Sequence, residues 1–236
     1  MFLRYKSEGI FLAKSPKGER DELFSVYTKD FGKVSLVVKS VREIKSKLRG
    51  GADLFYLAEI HFIEGKGGKK LIESIVFNSF KGIRKDLLKV RVASKIGETV
   101  NELVQSEEKD KEIYILLKKI FFFLDRASLS SLRIILLYYY FLFNLLSISG
   151  YRIELYRCVS CGKKIKEGEM HFSSKGGGIV CSGCRKNEKL KLEKDVVKIL
   201  RLIFDRKLKT LMKLKIEEKH IISLKNISCS HVSFIF

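Results

Sequence analysis

The sequence predicts an α+β protein: a small five-stranded barrel first, then an all-α domain interrupted by a four-cysteine zinc module. Three observations predict it. Residues 4–79 hold short apolar runs separated by turn residues, with the alternation of half-buried strands. From Leu88 onward the apolar residues recur three and four positions apart, as on one face of a helix. Cys158, Cys161, Cys181 and Cys184 read C-x2-C-x19-C-x2-C, a spacing found in four-cysteine zinc sites.

The strands come first. Gly9 to Ala13 opens the barrel, and Ser15-Pro16-Lys17-Gly18 is expected to turn the chain. Leu23 to Thr28 is the second strand, and Asp30-Phe31-Gly32-Lys33 turns into a third, Val34 to Lys39. Leu54 to Glu64 is the fourth, with Leu54, Tyr56, Ala58, Ile60 and Phe62 on one face. Gly65-Lys66-Gly67-Gly68 is a hairpin loop, and Leu71 to Phe77 is the fifth strand. Five strands in so short a segment suit an OB-fold barrel over residues 1–80, a fold that binds nucleic acids.

Residues 81–236 are expected to form the helical domain, with the zinc module at about 155–187. Leu88, Val92, Ile96, Val100 and Leu103 mark one helix; Ile113, Leu117, Ile120 and Leu124 mark the next. Ser130 or Ser131 can cap an apolar helix that Gly150 can end. Its stretch Ile134 to Ile148 is 15 residues without a charge, short of the ~20 that span a bilayer, and reads as a core helix. Val196, Leu200 and Ile203 mark a later helix, and residues 206–219 are Lys-rich with Leu/Ile spacing.

Charge narrows the function. The 236 residues carry a formal charge of +20. Residues 155–236 alone hold 19 Lys/Arg against 8 Asp/Glu, which favours polyanionic partners over a merely solvated surface. Residues 1–20 lack the apolar run of an export signal, so the thiols are expected in a reducing cytoplasm, where metal ligation is commoner than disulfides. Cys229 is left over from the quartet.

The loop after the third strand carries Lys39, Arg42, Lys45, Lys47 and Arg49 against Glu43 alone, and Lys33 stands just before it. These six cations are the candidate DNA-binding residues, since several phosphates could be neutralised there. Phe24, Tyr27 and Phe31 are candidate base-stacking platforms, although core packing is the commoner fate of such residues. Four cysteines close a metal's coordination sphere, so one structural zinc is expected, without an open catalytic position. Lys163, Lys164, Lys166, Lys175, Arg185 and Lys186 surround the cysteines, available to offset thiolate charge or to touch phosphates. His171-Phe172-Ser173 is not the H-x-E of a nucleic-acid deaminase. Neither a Walker sequence, a Ser-His-Asp set nor a motif of paired carboxylates occurs, and His61, His220 and His231 have no partner pattern; nothing points to an enzyme or a catalytic residue.

In this order the parts resemble the RecO family of bacterial recombination mediators. Gly9-Ile10-Phe11-Leu12, Gly18-Glu19-Arg20-Asp21-Glu22-Leu23 and Tyr27-Thr28-Lys29-Asp30-Phe31-Gly32-Lys33 are similar to the family's opening. Lys45 to Gly50 is similar to its basic loop, and Gly177 to Cys184 to the second half of its zinc module. The chain has Val38 and Ser40 where the family usually has alanine and glycine around the lysine ending the third strand. The resemblance implies binding of single- and double-stranded DNA, ATP-independent annealing of complementary strands, and help in loading RecA onto strands coated by single-strand-binding protein. It implies RecR and the C-terminal tail of single-strand-binding protein as partners, RecA as an indirect one, and a cytoplasmic, nucleoid-associated protein with no membrane role. The alternative reading of charge and cysteines is a zinc-ribbon assembly or regulatory protein directed to RNA.

Overall fold

The structure, a computed structural model, describes residues 3–105, 107–126, 128–165, 170–185, 188 and 190–235. The chain forms two compact units, residues 1–128 and 129–236.

The first unit is built on a closed barrel. Strands β1 (Arg4–Lys17), β2 (Asp21–Thr28), β3 (Gly32–Val38), β4 (Leu57–Gly65) and β5 (Gly68–Asn78) run in the order β1-β2-β3-β5-β4, with β4 returning to β1. All pairings are antiparallel except β3 with β5, whose parallel rungs Leu36–Lys69 and Val37–Lys70 close the ring. This is the expected OB-fold. Phe11, Phe24, Val26, Leu36, Ile60 and Phe62 fill the barrel, each fully buried and each contributing roughly 1.5–3 kcal/mol as large apolar side chains do.

Strand starts shift by up to five residues from expectation, and two of the differences have an identifiable cause. Pro16 does not turn the chain; it lies in β1 opposite Glu22, and the turn is Gly18 to Arg20. Pro16 sits near the strand's end, where a missing N–H costs little. Leu54 to Tyr56 is not strand. Phe55 takes φ 66°, an uncommon conformation for a bulky residue, while its N–H donates to the Phe11 carbonyl at 2.7 Å and its ring is buried against Phe121. Of the five residues assigned to one face, Ala58, Ile60 and Phe62 are in the barrel core, Tyr56 packs against it, and Leu54 precedes the strand.

Helices α1 (Lys81–Arg84), α2 (Leu87–Leu103) and α3 (Lys111–Arg126) complete this unit. Asp86 caps α2, accepting the N–H groups of Leu88 and Lys89 at 2.9 and 3.2 Å. Gly97 lets α2 lie directly on β1, since a Cβ there would stand 2.6 Å from the Leu12 carbonyl oxygen. At the start of α3, the Tyr27 hydroxyl donates to the Asp110 carbonyl and accepts the Asp110 N–H, both at 3.3 Å. Burial pushes the Tyr27 phenol up to about 12, so it stays protonated and able to donate.

In the second unit, α4 (Ser131–Ile148) packs against α5 (Lys194–Phe204) and α7 (Glu218–Ile235); a short α6 (Leu208–Leu211) follows α5. Thus only part of the Lys-rich segment 206–219 is helical. Ser130 is the N-cap residue of α4, although its side chain makes no capping bond. The helix ends in a Schellman turn: Gly150 has φ 90°, Tyr151 N–H donates to the Leu146 carbonyl at 2.8 Å, and Gly150 N–H to the Ser147 carbonyl at 3.3 Å. Helix α4 is the one described helix long and apolar enough to cross a bilayer, and 61% of it is buried inside the structure, the burial of a core helix. The cysteine-bearing segment between α4 and α5 contains its own sheet, β7 (Gly178–Cys181), β6 (Met170–Ser173) and β8 (Leu190–Leu192) in that order.

Two substitutions test this account. Gly97→Ala should destabilise the protein by about 1–2 kcal/mol in denaturant unfolding, because overpacking against fixed backbone outweighs the gain in helix propensity. Ser40 takes φ 51°, a conformation that glycine adopts without a Cβ penalty, so Ser40→Gly should stabilise by up to about 1 kcal/mol in the same measurement.

Candidate nucleic-acid interface and metal centre

The basic loop, residues 39–56, crosses the barrel end between β3 and β4. It is a succession of tight turns: Glu43 N–H donates to Ser40, Ser46 to Glu43, Arg49 to Ser46 and Gly51 to Leu48, at 3.0–3.2 Å. Val41 and Ala52 are buried in the barrel cluster and Leu48 packs against it. Apolar anchors thus hold the loop down, and the intervening cations stand outward.

The six candidate cations differ in what they hold. Lys33 is half-buried and donates to the Asn101 carbonyl at 2.8 Å; burial lowers its pKa from the usual lysine value. Lys39 is paired with Asp21, whose carboxylate also accepts the Ser40 N–H at 2.8 Å. The Lys39 bond, followed by that N–H, holds the Asp21 carboxyl below its ordinary pKa. Arg42 reaches Glu22 at 3.5 Å. Lys45, Lys47 and Arg49 are exposed on the loop. Beneath it lies a polar cleft of about 340 Å³ lined by Lys14, Glu22, Arg42, Arg49 and Asp53. Asp53 pairs there with Lys14 at 2.9 Å and with Arg84 at 3.0 Å. Composition does not reveal the carboxylate partners: Asp21 and Glu22 come opposite the loop through the β1–β2 and β2–β3 pairing, and Asp53 lies in the loop itself, reaching Lys14 of β1 and Arg84 of α1.

Of the aromatic candidates, Phe24 and Tyr27 are fully buried, Phe24 inside the barrel and Tyr27 against α3. Phe31 is half-buried, edge-on to Tyr5 and Phe62 with ring centroids 5.4 and 5.6 Å away. It lines a smaller cavity of about 180 Å³ with Tyr5, Lys69 and Lys109.

The four cysteines converge. Their sulfurs all lie within 4.8 Å of one another. Two turns present them. Cys158 N–H donates to the Lys163 carbonyl and Gly162 N–H back to the Cys158 carbonyl, both at 2.8 Å, with Gly162 at φ 71°. Ser182–Cys184 forms a single 3-10 turn following β7. The glycines between the pairs serve close approach: a Cβ on Gly178 would stand 2.6 Å from Val159 and 2.7 Å from the Glu154 carbonyl oxygen. Burial raises the Cys158 thiol, yet the N–H groups of Cys181, Cys161 and Ser160 outweigh it and hold the pKa at about 6. Cys161 and Cys181 push the Cys184 thiol up to about 12. Four sulfurs this close cannot all ionise without a cation between them, and tetrahedral thiolate ligation wants sulfurs ~3.8 Å apart, near the 3.9 Å of Cys161 and Cys181. The cluster can therefore hold one metal ion. Lys163, Lys164, Lys175 and Arg185 are exposed around it; Lys166 and Lys186 lie outside the described residues.

Comparison with known proteins accounts for nearly the whole chain. Family models described as Recombination protein O N terminal and Recombination protein O C terminal match residues 1–80 and 84–233. A protein named DNA repair protein RecO from Dehalococcoides mccartyi is 30% identical over 232 residues, covering 98% of this chain and 90% of its own length. Proteins of the same name from Thermoanaerobacter sp. and Caldanaerobacter subterraneus are 33% and 32% identical, covering 76% and 89% of this chain and 71% and 84% of their own.

Titrating the reduced, metal-free protein with cobalt(II) should give a tetrahedral thiolate spectrum saturating at about one equivalent. Protons compete for the same sulfurs, so the apparent affinity should fall as the pH is lowered from 8 to 6. A spectrum of octahedral, oxygen-ligated cobalt would refute a four-thiolate centre.

Proposed function

The chain belongs to the RecO family of DNA repair and recombination proteins, and on that premise we propose that it is a non-enzymatic DNA-binding mediator that anneals complementary strands and helps RecA load onto single strands coated by single-strand-binding protein. The observation that carries this reading is the anchored basic loop. Its turns and apolar anchors fix Arg42, Lys45, Lys47 and Arg49 at the mouth of an OB-fold barrel, with one acid among them.

The chemistry asked of such a surface is electrostatic. Two single strands repel through their phosphates, and cations that neutralise several phosphates lower the cost of bringing the strands together, without nucleotide. Base pairing then supplies both the driving force and the sequence match. Lys45, Lys47 and Arg49 meet phosphates first. Lys33 and Lys39 join only by exchanging Asn101 and Asp21 for phosphate, and Arg42 by leaving Glu22. The same surface would bind duplex DNA, since the contacts are to the backbone.

Zinc is the ion that the four-thiolate set fits best. Cys158, Cys161, Cys181 and Cys184 would hold it as a closed structural centre, and it would supply the module's cohesion without a reactive position. The family premise also brings RecR and the acidic C-terminal tail of single-strand-binding protein as partners, with RecA reached indirectly, and a place of action at bacterial DNA in the cytoplasm.

The quadruple charge reversal Arg42→Glu, Lys45→Glu, Lys47→Glu and Arg49→Glu should weaken single-strand binding at least tenfold at moderate salt, flatten its salt dependence, and slow annealing of complementary oligonucleotides. Unchanged annealing by the folded variant would remove the loop from the site. Tight RNA binding by the native protein, with no annealing of DNA strands, would favour the RNA-directed alternative.

A further inference from the structure

We propose that the metal module carries its own contact for a single nucleic-acid strand, in which Tyr156 stacks on an unpaired base while Arg157, Lys163 and Lys164 meet the flanking phosphates. The inference rests on the reading that this chain binds DNA strands, and it adds a second site on the other compact unit.

Tyr156 is a large aromatic left 47% exposed, two residues before the first metal ligand. Its ring is not loose. The Arg201 guanidinium of α5 lies over the ring, 4.6 Å from its centroid, and donates to the carbonyl of buried Leu155 at 2.6 Å. The backbone on either side is equally fixed: the Glu154 carboxylate accepts the N–H groups of Tyr156 and Arg157 at 2.7 and 3.0 Å, and Ile165 N–H donates to the Tyr156 carbonyl at 2.8 Å. A ring ordered in advance loses little entropy when a base stacks on it.

Among the described residues around the ring, charge has one sign. The described residues 155–165 and 170–185 hold five Lys/Arg and no Asp or Glu. The nearest acid before them, Glu154, is turned to backbone N–H groups. Arg157 bridges to Lys164 across the ribbon, so cations flank the ring on both strands of the knuckle. Lys198, exposed on α5 three residues before Arg201, continues the charge beyond it.

An aromatic platform among cations selects a single strand. A duplex keeps its bases stacked inside and offers no face to Tyr156, whereas an unpaired base does. An acidic peptide would satisfy the cations but seeks a groove for its apolar residues, and Tyr156 is a half-exposed ring on a ribbon.

The test uses the full chain with zinc content measured for each variant. A dT 20-mer, a dT 20-mer carrying 2-aminopurine, and a 20-base-pair duplex are titrated at two salt concentrations. Tyr156→Ala should weaken binding of the dT 20-mer about tenfold and abolish part of the 2-aminopurine fluorescence change, with duplex affinity within twofold of native. Tyr156→Phe should behave as native, and Lys163→Glu with Lys164→Glu should reduce the salt dependence. A zinc-loaded Tyr156→Ala protein that binds the 20-mer as tightly as native overturns the proposal, as does an equal loss on duplex. So does a Tyr156→Ala loss seen only with an acidic decapeptide titrated in parallel and not with the strand. If the quadruple loop variant alone loses strand binding, the DNA reading stands and this one falls; if the native protein binds no strand, both fall.

Discussion

Two parallel rungs between β3 and β5 hold the most dependent position in this molecule. The other barrel pairings are antiparallel ladders, formed by hairpins or by the return of β4 to β1. Leu36–Lys69 and Val37–Lys70 alone turn an open sheet into a ring. Without them β3 and β5 would each present an unpaired edge, and Leu36 and Leu71 would lose the opposite wall of the core. The closure is braced electrostatically: Lys69 is paired with Glu107 and lies 3.4 Å from Glu64, and although burial opposes its charge, these carboxylates raise its pKa.

The basic loop inherits its shape from that closure. A loop of this length would be expensive to order by itself. Here it is nailed at Val41, Leu48 and Ala52 to a core that exists only when the barrel is closed. Ser74 adds a hydrogen bond to the Gly51 carbonyl at 2.7 Å, tying the loop to β5. The cations are then displayed by geometry that the barrel has already fixed, and the nearby carboxylates moderate how many of them face solvent uncompensated.

Much of this was legible in the chain, and the parts that were not share a cause. The four cysteines that can hold a metal lie in two short turns, so the pairing of Cys158 with Cys161 and of Cys181 with Cys184 can be read from spacing. Barrel strands appear through alternation, and the helices through their three-to-four period. What spacing does not carry is register between distant segments. The alternation at Leu54 and Tyr56 runs on past the true start of β4 because a hydrogen bond from Phe55 to Phe11 sets the boundary. Pro16 reads as a turn residue, yet its pairing with Glu22 keeps it in the strand. Likewise the loop's charges are visible one by one, but their pairing with Asp21 and Glu22 depends on a neighbouring strand.

Helix α4 has a consequence for how the protein is made. Its apolar surface, with Phe141, Phe143, Leu145 and Leu146 all buried, is covered by α5 and α7. Those partners begin at Lys194 and Glu218, beyond the whole metal module. During synthesis the most apolar segment of the chain therefore leaves the ribosome well before anything that covers it. Nascent chains in that interval are exposed to aggregation and to capture by chaperones. A metal ion gathered early by the four cysteines would shorten the wandering path between α4 and its late partners, and would then bear on folding yield.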